Sequence, residues 1–324
     1  MSDVSVTKAR PKLPVDGPTL ANILAILALL VIGGLQYPQF FSPTYLAQQL
    51  QTGAFLGIVS AGAMLVILLG HIDLSVPWTM TAGATVATAV VGSDPQPWIS
   101  ETGLLAGLLV GATIGLVNGI GVAILRIPSM IWTLATNNVI LGVLVYFSGY
   151  YARASQPSTL MTWFGTGRTA GLPNILIAWA VVSLVVLFVL RRTTYGRNIY
   201  MVGTSEVTAY LTRLPARGVI VASFVFAGLC SAFAGMLLAG YAGQSYQRMG
   251  DPYLLPGIAA VVLGGTSLFG GRGNYSGTVA GAILITLLAS VLSIMQAPEA
   301  LKQIAYGVVI IVMVGFYSLR DTRS

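Results

Sequence analysis

Apolar segments follow one another along nearly the whole chain, and each approaches the length of a membrane crossing. A crossing helix needs roughly 20 apolar residues. Segments of that order occupy 19–36, 46–70, 74–92, 104–125, 128–150, 173–190, 218–242, 254–269, 275–295 and 301–319. Because 56% of the residues are hydrophobic and only 8% are charged, the chain cannot cover itself with a wetted surface. The pattern predicts an all-α polytopic membrane protein of about ten transmembrane helices, with one transmembrane domain over 19–319.

The eighth segment, 254–269, is shorter than the others. Pro256 and a cluster of glycines bound it. We expect a half-helix or a re-entrant element there, since broken helices are a recurring feature of transport proteins. Eight and ten crossings both stay open, and either number places the two termini on the same side of the membrane.

The distribution of basic residues predicts the orientation. If the N-terminus is cytoplasmic and ten crossings alternate, twelve of the sixteen basic residues lie inside: Lys8, Arg10, Lys12, Arg126, Arg191, Arg192, Arg197, Arg213, Arg217, Arg272, Arg320 and Arg323. The four that lie outside are Arg153, Arg168, Arg248 and Lys302. This agrees with the positive-inside rule. We therefore expect a multi-pass membrane protein with cytoplasmic tails at 1–18 and 320–324, in contact with lipid and not with nucleic acid.

The spacing of the glycines in one segment predicts close helix packing. Gly103, Gly107, Gly111, Gly115 and Gly119 recur every four residues along one helical face. Small residues at this spacing let a neighbouring backbone approach closely. A flexible hinge or a pore lining are the other interpretations of the same spacing.

The residue types that most enzymes need are scarce. The chain has one histidine and one cysteine, so a His/Cys metal cluster, a Cys–His pair and an intrachain disulfide are excluded. The glycine-rich run 264–273 lacks the Gly-Lys-Ser/Thr ending of a phosphate-binding loop. We expect no enzyme activity and no cofactor on this chain; if ATP and Mg are used, another subunit binds them.

The longest polar interruption, 191–217, contains a short amphipathic pattern. Val207, Tyr210, Leu211 and Leu214 fall on one face of a helix begun near Thr204. Thr204 or Ser205 suits its N-cap, Glu206 its first turn and Arg213 its last turn. The pattern predicts a helix of about two to three turns, which cannot be stable alone in water. It lies either on its own protein or at the lipid surface, or it docks on a partner.

A second polar interruption separates two apolar segments at Gly70–Pro77. Asp73 either caps a helix beginning at Leu74, with Ser75 beside it, or takes part in gating, because an ionisable group so near the hydrocarbon is costly. His71 is either a satisfied polar residue or a proton carrier. Further candidates for pathway lining or gating, or for bonds between helices, are Asn118, Asn137, Asn138, Gly264, Gly265, Thr266 and Ser267.

Three stretches resemble the permease subunits of bacterial ABC importers for monosaccharides of the ribose, xylose and arabinose type. The family's Gly-Gly-Ile-Asp-Leu-Ser-Val-Gly is similar to 70–77, and its Leu-Gly-Arg-x-Ile-Tyr is similar to 195–200. Its Gly-Gly-Thr-Ser-Leu-x-Gly-Gly-x-Gly agrees with 264–273 at every fixed position. The resemblance covers essentially the whole chain.

This resemblance implies a vitamin-B12-importer-like permease fold and three kinds of protein partner. They are a cytoplasmic ABC ATPase, a periplasmic solute-binding protein, and a second permease copy or a paralogue. The helix from Thr204 to Leu214 would then be the element that couples to the ATPase. Basic residues of the outer face, Arg153, Arg168 and Arg248, would pair with acidic groups of the binding protein.

The chain departs from the family in the coupling segment. The family has Glu-Ala-Ala-x-x-x-x-Gly-Ile there, whereas this chain has Glu206-Val207-Thr208 and then Arg213-Leu214-Pro215. The alternative function is a self-sufficient secondary transporter or channel for a small polar solute. It would need more ionisable residues within the membrane than Asp73.

Overall fold

The computed structural model describes residues 17–92, 101–151 and 156–321, and these form helices almost throughout. The helices are α1 (Gly17–Gln36), α2 (Pro43–Leu68), α3 (Val76–Val91), α4 (Thr102–Ala123), α5 (Ser129–Tyr146), α6 (Ser148–Tyr151), α7 (Thr159–Thr166), α8 (Asn174–Arg192), α9 (Thr194–Thr204), α10 (Glu206–Leu211), α11 (Ala216–Ala242), α12 (Leu254–Leu263), α13 (Tyr275–Ile294) and α14 (Glu299–Asp321). Short 3-10 turns lie at Pro38–Phe41 and Asp251–Tyr253. The strands β1 (Arg168–Thr169) and β2 (Leu172–Pro173) form one antiparallel hairpin.

Seven of the helices in the described ranges are long and apolar enough to cross a membrane: α1, α2, α4, α5, α8, α11 and α13. The helix α3 and the stretch Asp251–Leu263 are apolar but shorter. The prediction of an all-α polytopic membrane protein is confirmed. A count of ten crossings is not, because α3 and α12 are shorter than a crossing and α14 is not among the seven.

The helices α2 and α11 form the centre of the bundle. Most of α2 is buried, including Phe55, Ile58 and Met64, and so is most of α11. A helix that is apolar all round and buried on all sides belongs to the interior of a bundle. The other helices are arranged around these two, with α3 and α4 on one side and α1, α8 and α13 on the other.

The glycines of α4 pack as the sequence predicted. All five are buried, and they face the backbones of α3 and α11. A Cβ at Gly111 would collide with Ala232 and the carbonyl of Gly228, and a Cβ at Gly107 would lie 2.7 Å from the carbonyl oxygen of Gly83. The spacing therefore serves close packing of three helices.

The helix α7 packs on the end of α11. A Cβ at Gly240 would collide with the carbonyl of Met161 in α7, and the side-chain amide of Gln51 donates to the carbonyl of Gly165 at 2.8 Å. The β1–β2 hairpin connects α7 to α8. This arrangement leaves the opposite side of α11 to α3 and α4.

Candidate coupling and permeation site

The candidate coupling helix α10 is shorter than predicted. It has six residues, and Thr204 belongs to the preceding helix α9 rather than to its N-cap. Of the two candidate caps, Ser205 is the one used: its hydroxyl accepts the backbone N–H of Thr208 at 3.2 Å. Glu206 lies in the first turn as expected. A helix this short depends on its neighbours for stability.

The turn that ends α10 contains Arg213, the residue that stands where the family has glycine. The N–H of Leu214 donates to the carbonyl of Ala209 at 3.0 Å, which closes a Schellman turn. Arg213 has a φ of 58°, in the left-handed region that such a turn requires and that glycine adopts most easily. The chain therefore keeps the turn with an arginine in the position where the family has glycine.

The predicted apolar stripe is divided between two faces, and this corrects the sequence interpretation. The side chains of Val207 and Leu211, one turn apart, are 72% and 75% exposed. Ala209 is buried, and Leu214 packs against the core beside α11. The side chain of Tyr210 lies outside the described part of the structure. The helix thus exposes an apolar pair on one face, while its other face holds it to the bundle.

The helix α9 connects this segment to the end of α2 and to the glycine-rich run. A Cβ at Gly203 would collide with the carbonyl of Leu68. The same carbonyl accepts the N–H of Gly271 at 2.9 Å, and the hydroxyl of Tyr200 donates to the carbonyl of Gly273 at 3.0 Å. We call this three-way contact of α9, the end of α2 and residues 264–273 the cytoplasmic joint, after the side of the membrane on which the distribution of basic residues predicts it.

The glycine-rich run is a packed turn. Gly264 lies against the backbone of α13, at Gly277 and Thr278, and Gly265 has a φ of 88°. The N–H of Ser267 donates to the carbonyl of Arg272 at 2.9 Å. Thr266 is fully buried, and its hydroxyl has no hydrogen-bond partner among the described residues. These residues hold the cytoplasmic joint together.

The polar interruption after α2 is an extended segment, and side chains of α5 satisfy its backbone. The chain turns at Gly70, with a φ of 78°, and α3 does not begin until Val76. The N–H of Ile72 donates to the hydroxyl of Ser129 at 3.3 Å, and the N–H of Leu74 donates to the hydroxyl of Thr133 at 2.9 Å. Buried backbone donors need such partners. The sequence analysis did not select Ser129 and Thr133, although their spacing of four residues places both hydroxyls on one face of α5.

Asp73 does not cap a helix beginning at Leu74. Its Oδ1 accepts the N–H and the hydroxyl of Ser75, at 2.9 and 2.6 Å. The hydroxyl of Ser75 also accepts the side-chain amide of Asn118 at 2.8 Å, while Oδ1 of Asn118 has no hydrogen-bond partner in the described ranges. All three residues are buried. The structure thus brings Asp73, Ser75 and Asn118 together as a polar cluster between α3 and α4.

The other amides of the predicted set lie elsewhere. Asn138 is exposed on α5, and its side-chain amide donates to the carbonyl of Leu134 at 2.8 Å. The side-chain oxygen of Asn137 is buried without a partner among the described residues. Neither makes a hydrogen bond to the cluster around Asp73.

A cavity of about 1250 Å³ lies between the extended segment and the coupling helix. His71, Arg126, Glu206, Val207 and Arg217 contribute to its lining. The ring centroid of His71 lies 6.2 Å from that of Phe224. Burial lowers the pKa of His71, and the carboxylate of Glu206 partly opposes this. The neutral form of His71 is therefore favoured.

The three arginines assigned to the outer face have different environments. Arg153 lies outside the described residues. Arg168 is exposed in β1. The Nε of Arg248 donates to Oδ2 of Asp251 at 2.6 Å. Arg248 is two residues from Gly250, which packs against Pro77 in the first turn of α3, so its assignment to the outer face is wrong.

Comparison with known proteins places the chain among membrane permeases. The family described as "branched-chain amino acid transport system / permease component" matches residues 45–314. The ribose import permease protein of Escherichia coli strain K12 is 32% identical over 90% of this chain and 91% of its own length. The corresponding ribose permease of Bacillus subtilis strain 168 is 31% identical over 91% of both chains. The fructose import permease protein of Rhizobium meliloti is 31% identical over 93% of this chain and 84% of its own. No solved structure matches the chain.

Proposed function

The chain belongs to the family of branched-chain amino acid transport system permease components, and on that premise we propose that it is the membrane permease subunit of an ATP-driven monosaccharide importer. The likeness to ribose and fructose import permeases over about nine tenths of the chain supports the substrate class. The motif residues at 70–77 and 264–273 lie in the polar break and the cytoplasmic joint. This chain would form the path, and a cytoplasmic ABC ATPase would bind ATP and Mg.

The exposed pair Val207 and Leu211 is the observation that carries the coupling part of the proposal. Two apolar side chains more than 70% exposed on one face of a six-residue helix suit insertion into a groove of a partner. The opposite face is held by the core through Ala209 and Leu214. A displacement of α10 would therefore be transmitted to the bundle.

The contacts inward from α10 suggest how ATPase movement reaches the path. The helix α9 is packed on the end of α2 at Gly203, so the cytoplasmic joint would move with the coupling segment. The extended residues after Gly70 come directly after the end of α2 in the chain. Two side-chain hydroxyls of α5 bind their backbone, which lacks the hydrogen bonds of a helix. A segment held in this way suits the two-state element that alternating access requires, because few hydrogen bonds have to be exchanged when it moves.

The wider arrangement of the transporter belongs to the same proposal. It comprises ten crossings in a vitamin-B12-importer-like fold, with α12 as a re-entrant half-helix, in a bacterial inner membrane with cytoplasmic termini. A second permease copy or a paralogue completes the path, and a periplasmic solute-binding protein docks on the outer face. Arg168 is exposed there and suits contact with an acidic surface; Arg153 stays a candidate for the same role.

Co-purification tests the coupling helix. The double variant Val207→Asp and Leu211→Asp should lose the ATPase that the unmodified permease retains, because two charges would have to enter an apolar groove. Thr208→Asp is the matched control: it adds a charge to an exposed position of the first turn of α10, where an acidic residue is tolerated, and it should retain the ATPase. Equal retention by all three proteins would contradict the coupling assignment.

Uptake into vesicles tests the importer itself. Vesicles that carry the permease, its ATPase and its binding protein should accumulate one labelled monosaccharide from a panel of pentoses, hexoses and polyols, and only with ATP inside. Accumulation without ATP would favour the secondary transporter or channel.

A further inference from the structure

The segment that connects α11 to α12 runs back along α3 instead of staying at the end of the bundle. The helix α11 ends at Ala242, and Gly243 turns the chain with a φ of 77°. The hydroxyls of Ser245 and Thr88 are 2.8 Å apart, near the end of α3. Five residues later, Gly250 lies so close to the carbonyl of Pro77 that a Cβ would collide with it. Residues 243–250 therefore follow α3 from its last turns to its first.

The helix α4 gives the depth of this segment in the bilayer. Its 22 residues span about 33 Å, from an outer end at Thr102. Gly107, five residues in, faces Gly83 of α3, and the two helices run antiparallel. Pro77 precedes Gly83 by six residues, so it lies roughly 9 Å further in and about 16 Å from the outer end of α4. Gly250 thus reaches the middle of the membrane, and α12 crosses only the remaining half.

Backbone of this kind is not stable in contact with lipid. Irregular backbone at membrane depth occurs where protein covers it or where it borders a water-filled space, because hydrocarbon offers its polar groups no hydrogen bonds. Met249 and Gly250 are buried against the bundle. The residues before them have exposed side chains, namely Gln244, Tyr246, Gln247 and Arg248. One side of the segment is therefore anchored, and the other side is polar and open.

The ion pair at the inner end of the segment points to water independently. Arg248 has a φ of 64° and pairs with Asp251, yet its side chain is 76% exposed. Charged residues within a membrane face the bundle interior or an aqueous cavity, and they mark the paths of solutes. An arginine exposed to this extent near the depth of Pro77 requires water or a polar solute beside it.

We propose that residues Gly243–Arg248 line the outer half of the permeation path and form a subsite for the transported monosaccharide. This inference rests on the proposed importer function for the identity of the solute, but not for the presence of water. Tyr246 is 48% exposed and Tyr241, at the end of α11, is 37% exposed. Aromatic faces and side-chain amides, supplied here by Gln244 and Gln247, suit the apolar face and the hydroxyls of a sugar ring.

Accessibility to a water-soluble thiol reagent tests the lining. The only cysteine of the chain, Cys230, is buried, and a Cys230→Ser variant provides the background. In the assembled transporter, Gln244→Cys and Gln247→Cys should react from the outside with a charged, membrane-impermeant methanethiosulfonate. Leu109→Cys is the matched control, since Leu109 is 67% exposed on the apolar side of α4 at a similar depth; it should stay unmodified.

The outcome separates this inference from the proposed function. If neither glutamine position reacts, the segment is covered by lipid, by a second permease copy or by another protein, and the lining is refuted. If both react and the unmodified transporter carries no monosaccharide, the lining stands and the substrate class fails.

Transport kinetics test the sugar subsite. Tyr246→Ala should raise KM roughly three- to tenfold through the loss of an aromatic face, with little change in maximal rate. Tyr246→Phe keeps that face and should behave like the unmodified permease. Equal KM values for all three would refute the role of Tyr246 in binding the solute. Protection of Gln247→Cys from the reagent by the transported sugar, and not by a sugar that is not transported, should accompany the KM effect; its absence would refute the subsite.

Discussion

Arg213 occupies the turn at the end of α10 in a backbone conformation that is unfavourable for any residue with a Cβ. A residue with a Cβ in the left-handed region costs roughly 1 kcal/mol of stability relative to glycine. Arg213 adopts this conformation, which lets the backbone N–H of Leu214 donate to the carbonyl of Ala209 at the end of α10. Its charge near the C-terminus of the helix partly offsets the strain. The substitution that separates this chain from its family therefore changes the stability of the turn more than its shape.

A glycine at position 213 should make the turn more stable. Arg213→Gly is expected to gain up to about 1 kcal/mol in local stability, because glycine adopts the positive φ without strain. Hydrogen exchange of the Leu214 amide would show the gain as slower exchange. Arg213→Ala removes the charge but keeps the strain, so its exchange should be no slower than that of the unmodified protein. Faster exchange in the glycine variant would show that the charge contributes more than the backbone strain costs.

At the scale of elements, α4 and α11 are joined by backbone contact. Gly111 and Gly228 lie against each other, and neither position has room for a Cβ. Packing this close compensates for the absence of a hydrophobic driving force between helices in lipid. The stability of the bundle therefore depends on glycines in α4 more than on its large apolar side chains, several of which are exposed.

Gly111→Leu should prevent these helices from packing. The new side chain would have to displace the backbone of α11, so we expect little folded permease in the membrane fraction. Gly142→Leu is the matched control, because a Cβ there meets nothing within 4 Å, and it should leave the amount of folded protein unchanged. Size-exclusion chromatography in detergent, with the same expression level confirmed by blotting, measures the difference. A monodisperse Gly111→Leu protein would contradict the packing argument.

Periodicity and composition were sufficient to predict the helical elements and the glycine packing, because both depend on residues close in sequence. The start of α3 was not predicted, since Asp73 and Ser75 look like a helix cap while the backbone there is held by Ser129 and Thr133. The amphipathic face of α10 was only partly predicted, because contacts with α11 decide which side is buried. The inward course of residues 243–250 depends on contacts with Thr88 and Pro77, more than 150 residues away in the chain.

At the scale of the whole molecule, the proposed function makes the cytoplasmic joint the link between the coupling helix and the path. The links are tight at Gly203 and Gly271, where backbones touch. Tight contact transmits displacement, whereas a loose one absorbs it. The permease should therefore lose transport when the joint is loosened even if the ATPase still binds.

Gly203→Val should separate docking from transport. The side chain would push α9 away from the carbonyl of Leu68. The ATPase should therefore be retained on co-purification while the rate of uptake falls at least about tenfold, which corresponds to roughly 1.4 kcal/mol in the barrier to transport. Gly218→Val, in the first turn of α11, is a control, because the nearest atom to a Cβ there lies 4.0 Å away. Normal uptake by the Gly203→Val protein would show that the joint does not transmit movement.

The close contacts among α3, α4 and α11 also restrict how the molecule can deform. Helices that share backbone contacts cannot slide past one another without losing them, so the three must travel as a rigid body during each transport cycle. Deformation is then left to non-helical stretches that join this body to its neighbours, among them residues 69–75 before α3, 124–128 after α4 and 212–215 before α11. These stretches would bend while the three-helix body keeps its shape, as the flexures of a mechanical stage do.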